Sequence, residues 1–501
     1  MISNRIEEYQ QSFIPEGWMN VDRSQNRLSV FLRSYPFEEK FEEIREKFER
    51  CRYEERKKAG VMRKIQSDQE KYHFDFYDEE GIKNKITVKE RRSAAGRKAF
   101  DFYGLLKLFF ACMLKNIVQV TEVDQELQDN PVLQLECFGG GQLPSYDVLA
   151  AFDRDMNGHG LMKEIRKIAV ATNFSEGINE FDGRLIVDVT HSEGNGKIGK
   201  MTKKCRDCHR DKANSTCELC VNGKPCDTPK LTDETIDIVH KNKGKVLKAH
   251  KYQMVSTGIE LLLGTLAFNG KQSDGGESFE QILREIKTDN GPWIDKWITQ
   301  FKKPIVIYAD GIYNTAANRE MVVKVFGPGT KLSSKPNPGN RKTHKIKRKG
   351  IEFTVDKRAN VRCEKGAHFK FDAREIDKER YRFVIDEKDS CLSCPLYQPC
   401  SGKAKEGKTL RIGKNLLPHY DWEDPEFTKS YGRKYNIRTG IERIIGRGKD
   451  LLGFRRQFKR GRSNVQGFGD RLTAMMNMIA HVAHTIGHPE RMLQCKNFAT
   501  G

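Results

Sequence analysis

Tyr435, Arg438, Glu442 and Lys449 stand in the order Y-x2-R-x3-E-x6-K. On one continuous α-helix, at roughly 100° per residue, the four side chains fall within an arc of about 60°. Such a face presents one carboxylate among two cations and a phenol, while Gly440, Ile441, Ile444 and Ile445 pack the helix on a core. Two more acids close short apolar runs: Asp188 follows RLIV, and Asp310 follows IVIYA. Carboxylates at strand ends lie where open α/β sheets hold ligands. Asp182 precedes its apolar run and so marks the start of a strand. Glu423, Asp424 and Glu426 flank Pro425 in a predicted loop and lack the helical stripe.

The chain has 13 cysteines, clustered in two places. Cys205-x2-Cys208 and Cys217-x2-Cys220 are eight residues apart, a spacing that closes a knuckle around tetrahedral Zn²⁺; His209 and Cys226 are spare ligands. Cys363, Cys391, Cys394 and Cys400 form a second, tentative zinc set. One or two structural zinc ions are therefore expected, in preference to disulfides. Lys203, Lys204, Arg206, Arg210 and Lys212 surround the first set. Lys335 to Lys349 and GFRRQFKRGR, with Arg455, Arg456, Lys459, Arg460 and Arg462, have the composition of phosphate-tracking surfaces. The glycines at 139–141 and Gly194-x-Gly196-Lys197 lack phosphate-loop spacing, which disfavours an ATPase.

The elements that must position these groups change character along the chain. Phe37, Phe41, Ile44, Phe48 and Cys51 make a narrow apolar stripe, a bundle helix or, alternatively, a dimerisation helix. An apolar helix from about Ala95 to Val118 and a helix after Ser145 complete a predicted all-helical N-terminal domain at 1–175, for DNA binding or dimerisation. At 180–326 strands dominate, with a cysteine-rich insert at 203–228: Arg184 to Val189, Lys251 to Thr257, Ile259 to Phe268 and Ile305 to Ala309. A helix runs from Ser278 and another over Asn318 to Val325, so this stretch reads as α/β. The pattern is lost in an insertion at 327–428, which holds the second cysteine set. Helical periodicity returns at 429–490, over Arg433 to Leu452 and Asn464 to Ile486. With 501 residues, a net charge of +20 and 28 Phe, the chain is neither disordered nor membrane-spanning, and a polyanion is the natural partner. The opening MISNRIEEYQ, with Glu7 and Glu8, predicts no secretory signal and hence a cytoplasmic protein, nucleoid-associated when bound to DNA.

Together these motifs resemble the bacterial insertion-sequence transposases of the DDE type. The Tyr435–Lys449 spacing is similar to the signature around the family's last catalytic glutamate. LIVDVT around Asp188 and IYADGIYN around Asp310 resemble its two aspartate strands. KAHKYQMVSTG, GKQSDGGESFEQIL and LPSYDVLAAFDRDM resemble further family segments in the same order. The resemblance implies an RNase H-like α/β core, catalytic Asp188, Asp310 and Glu442, and two Mg²⁺ or Mn²⁺ ions held by these acids. It implies phosphate contacts by Arg438 and Lys449, and Tyr435 near the transposon end. It further implies double-stranded DNA, both element ends and target, as partner, and a homodimer or higher assembly on DNA. The alternative is a non-catalytic, zinc-containing DNA-binding protein derived from a transposase.

Overall fold

The computed structural model describes residues 27–58, 70–77, 83–89, 100–194, 236–240, 246–268, 274–334, 343–356, 360–401, 407–417, 425, 428–457 and 459–495. The first cysteine set, Cys205 to Cys220, and the basic stretch at 335–342 lie outside them. The chain divides into two compact units: residues 1–183, 188–303 and 441–501 form the first, and 184–187 with 304–440 the second.

The first unit begins with helices α1 (Arg27–Ser34), α2 (Phe37–Lys40) and α3 (Glu42–Lys58). The predicted aromatic stripe is real but interrupted, because α2 ends at Phe41 before α3 begins. Phe37, Phe41, Ile44 and Phe48 are all buried, and Phe48 meets Phe102 and Phe152 at ring-centroid distances of 5.4 and 5.3 Å. This is the bundle reading. A hairpin of β1 (Glu70–Tyr77) and β2 (Lys83–Lys89), antiparallel with Phe74 opposite Ile86, corrects the all-helical expectation for 1–175. Its sequence signal is the alternation of Tyr72, Phe74 and Phe76.

Next come α4 (Phe102–Leu114), α5 (Val120–Asp129), α6 (Pro131–Phe138), α7 (Tyr146–Gly158) and α8 (Leu161–Ser175). Helix α4 is apolar almost all round and starts where the Asp101 carboxylate accepts the Gly104 N–H at 2.6 Å. Helix α6 uses Asn130 as its cap and Pro131 in its first turn, and stops at Gly139, whose φ is 61°. Strand β3 (Arg184–Gly194) is divided between the units immediately before Asp188. In the first unit β4 (Asp237–His240), β5 (Val246–Thr257) and β6 (Leu262–Phe268) pair antiparallel, followed by α9 (Glu277–Asp289) and α10 (Gly291–Lys296).

The second unit carries β7 (Val306–Ala309), α11 (Ala316–Phe326) and β8 (Lys331–Ser334). Residues Arg184 to Ile186 pair parallel with β7, and β7 pairs parallel with β8. The stretch expected to be patternless then forms a six-stranded antiparallel meander: β9 (His344–Arg348), β10 (Ile351–Val355), β11 (Val361–Cys363), β12 (His368–Glu375), β13 (Arg380–Ile385) and β14 (Thr409–Gly413). Its core is Phe353, Tyr381, Phe383 and Ile412. Two short helices, α12 (Lys388–Leu392) and α13 (Tyr397–Ser401), cross between β13 and β14, and α14 (Lys429–Tyr435) follows.

Helix α15 (Thr439–Leu451) leads into the rest of the first unit, with β15 (Arg456–Gln457) and the long helix α16 (Arg462–Thr485). Helix α16 packs on α8 and β6 and is buried from Phe468 to Ala483. The approach is close: a Cβ on Gly469 would meet Thr265 Oγ1 at 2.4 Å. The buried Arg166 guanidinium holds this face through Asp470 at 3.1 Å, Glu285 at 2.8 Å and Asp289 at 2.6 Å. Among the described residues no helix is long and apolar enough to cross a membrane.

Candidate active site

Asp188 follows three fully buried residues, Leu185, Ile186 and Val187, in the chain order that makes the strand readable. Its own side chain is half-buried, and Oδ1 accepts the Val189 N–H at 2.8 Å. Asp310 is the residue after β7. It is exposed, and its Oδ1 accepts the Gly311 N–H at 2.6 Å to start a 3-10 turn over Gly311–Tyr313. The Ser334 hydroxyl, at the end of β8, donates to the Asp310 carbonyl at 2.5 Å. Two strands thus fix the Asp310 backbone while its carboxylate faces solvent.

Glu442 lies in the first turn of α15, between buried Ile441 and Ile444. It is exposed, on the helix end where the macrodipole stabilises a negative charge. Burying each isoleucine is worth about 1.5–3 kcal/mol, so the apolar face fixes the helix rotation and hence the direction of Glu442. A second device holds the same helix. Glu260, in the turn between β5 and β6, accepts from Arg443 Nε at 2.9 Å and Arg447 Nη2 at 3.2 Å. Neither Glu260 nor Arg447 belongs to the motif; the i, i+4 spacing of the two arginines is the available signal.

The helical face itself needs correction. A 3-10 turn over Asn436–Arg438 separates α14 from α15, so Tyr435 is rotated away from the position that a continuous α-helix would give it relative to Glu442 and Lys449. Tyr435 is buried, stacks on Tyr431 at 5.6 Å, lies 5.6 Å from the Arg438 guanidinium and donates its hydroxyl to the Ala309 carbonyl at 3.3 Å. Arg438 and Lys449 are half-buried.

Of the basic segment, Arg455, Arg456, Arg460 and Arg462 are exposed. Arg455 pairs with Asp450, and Arg456 reaches Glu193 at 4.0 Å. Lys459 departs from this set: its ammonium is ion-paired with buried Asp153, which also accepts from Arg471 at 2.6 Å. Burial, and then the Arg471 charge, press the Lys459 ammonium well below the usual lysine range. That side chain serves the interior.

Cys363, Cys391, Cys394 and Cys400 are free thiols that line one cavity. Among the described residues, no three His, Cys, Asp or Glu side chains are gathered tightly enough to hold an ion.

Residues 362–480 match a family model described as a transposase DDE domain. The match contains Glu442 and all four of these cysteines, and ends within α16. No curated protein matches the chain. Among solved structures the chain is similar to the piggyBac transposase synaptic complex with hairpin DNA, at 11% identity and a TM-score of 0.34, covering 82% of this chain and 72% of that one.

Proposed function

We propose that this chain, a DDE-type transposase by its matched domain, binds the ends of its mobile element, cleaves phosphodiester bonds there and transfers the freed 3′-hydroxyl ends to target DNA. The observation that carries the reading is the match over 362–480, a range that includes Glu442, which is exposed in the first turn of an amphipathic helix and supports the reading. Asp188 and Asp310 support it, each directly following a buried apolar run. The parallel strands behind Asp310 and the antiparallel β4–β5–β6 support an RNase H-like reading of the α/β elements.

Asp188, Asp310 and Glu442 are the residues that would hold Mg²⁺ or Mn²⁺. The donor chemistry fits, since hard cations take carboxylate oxygens and two of the three carboxylates are exposed and one half-buried. Such ions, when bound, neutralise charge on the reacting phosphate and lower the pKa of an attacking hydroxyl. The chain's own side chains do the remaining work. Ser334 and the 3-10 turn hold Asp310 in place, Glu260 holds the Glu442 helix, and Arg455, Arg456, Arg460 and Arg462 offer guanidinium groups to phosphates. Double-stranded DNA is the proposed partner, and a dimer or higher assembly the proposed form on it.

The test is single replacement of Asp188, Asp310 or Glu442 by alanine. Each variant loses Mg²⁺-dependent cleavage of element-end DNA by at least about 10³-fold and keeps its DNA affinity. Cleavage retained in any one of them removes that residue from the site. Cleavage absent from the wild type on DNA bearing its element ends sinks the reading.

A further inference from the structure

Three short pieces of the second unit bring thiols to one place. Cys363 ends β11, where a tight turn returns the chain: Gly366 N–H donates to the Cys363 carbonyl at 2.9 Å, and Cys363 N–H to the Ala367 carbonyl at 3.1 Å. Cys391 lies in α12 and Cys394 just beyond it, the Cys394 N–H donating to the Cys391 carbonyl at 3.2 Å. That is the turn by which a C-x2-C pair directs two thiols to one side. Cys400 lies in α13. All four line a single cavity of about 230 Å³.

The walls of this cavity suit a thiolate metal centre. Lys365, Lys408 and His368 line it with the thiols. Lys365 and Lys408 are balanced in the lining by Glu364 and Glu387, so what suits the cavity to a soft cation is its four sulfurs. Helices α12 and α13 have five residues each, far below the length at which a helix is stable by itself, and the sheet core reaches them through few side chains, Cys391 among them.

We propose that Cys363, Cys391, Cys394 and Cys400 bind one structural Zn²⁺, releasing their thiol protons, and that the ion staples α12 and α13 to the β11–β12 turn. The four sulfurs line the cavity without being gathered at a point, so binding draws the two helices inward and shrinks it. The site is structural and soft, distinct from the carboxylates above, and does not rest on their assignment.

The experiment is a site-resolved alkylation footprint on the purified full-length protein, loaded with ZnCl₂ and then treated or not with a zinc chelator. Peptide mass spectrometry reads each cysteine separately. Cys394 and Cys400, which are only partly buried, react at least about tenfold faster after chelation, together with Cys363 and Cys391. Equal rates with and without chelator overturn the proposal, as does recovery of these cysteines as disulfides from the zinc-loaded protein. A second arm replaces Cys391 and Cys394 by serine together. Bound zinc falls by about one equivalent relative to wild type, a difference that any metal at Cys205 to Cys220 leaves untouched. Unchanged zinc content also overturns it.

Discussion

The Tyr435 hydroxyl donates to the Ala309 carbonyl, one residue before Asp310, from a ring that is itself stacked on Tyr431. A side chain used in this way positions backbone. Tyr435→Phe therefore removes one hydrogen bond, about 1 kcal/mol of stability, and leaves DNA affinity within twofold of wild type. Tyr435→Ala removes the stacked ring as well and costs about 3–5 kcal/mol. Chemical denaturation with a DNA-binding titration on the same samples checks both, and a large drop in affinity in a stable Tyr435→Phe protein would return the phenol to the DNA-binding set. The two aspartates are legible in the sequence because each ends an apolar run, of three residues before Asp188 and five before Asp310, whose β-branching suits a buried strand. The place of Tyr435 is not, because residue spacing converts to angle only while the helix stays α. Three residues of 3-10 turn over Asn436–Arg438 spoil that conversion.

Helix α15 is held from one side by its apolar face and from the other by Glu260, whose backbone adopts φ 66°. That conformation costs a non-glycine residue roughly 1 kcal/mol or more, and the hydrogen bonds from Arg443 and Arg447 offset it. Two substitutions separate the terms. Glu260→Gly removes the carboxylate and relieves the backbone, whereas Glu260→Ala removes the carboxylate and keeps the strain. Alanine is thus more destabilising than glycine by about 1 kcal/mol, the reverse of the order at an ordinary helix or strand position. Thermal or urea unfolding of the pair decides it. Equal stabilities would mean that the turn relaxes and that Glu260 is not clamping the helix. The β5–β6 turn is legible around Gly258, but the clamp is not, since it joins residues 183 and 187 positions apart and nothing local to either announces the other. The meander in the second unit is hidden for a different reason. Its strands are as short as three to eight residues, and Lys and Arg on the outward positions of HKIKR and RYRFVI give the stretch the composition of a loop.

At the scale of the molecule, an excess of 20 positive charges says only that a polyanion is favoured; burial decides which cations can meet it. In the segment after α15, four arginines are exposed and one lysine is not. Sequence composition treats Arg460, Arg462 and Lys459 alike, yet Asp153, itself held by Arg471, fixes Lys459 inside the first unit. Counterion release separates them, because each phosphate that a cation no longer neutralises lowers the slope of log affinity against log salt by about 0.9. Replacing Arg460 and Arg462 together by glutamine reduces the magnitude of that slope by about 2 and leaves unfolding stability within about 0.5 kcal/mol of wild type. Lys459→Met behaves in the opposite sense. It leaves the slope unchanged and costs about 3 kcal/mol or more of stability, because the Asp153 carboxylate keeps only Arg471 as a charged partner in the interior. Binding of element-end duplex across a range of salt, with unfolding curves on the same variants, gives both quantities. A lysine variant that changed the slope as the arginines do would place Lys459 on the DNA path. An arginine pair that left the slope unchanged would remove this segment from that path.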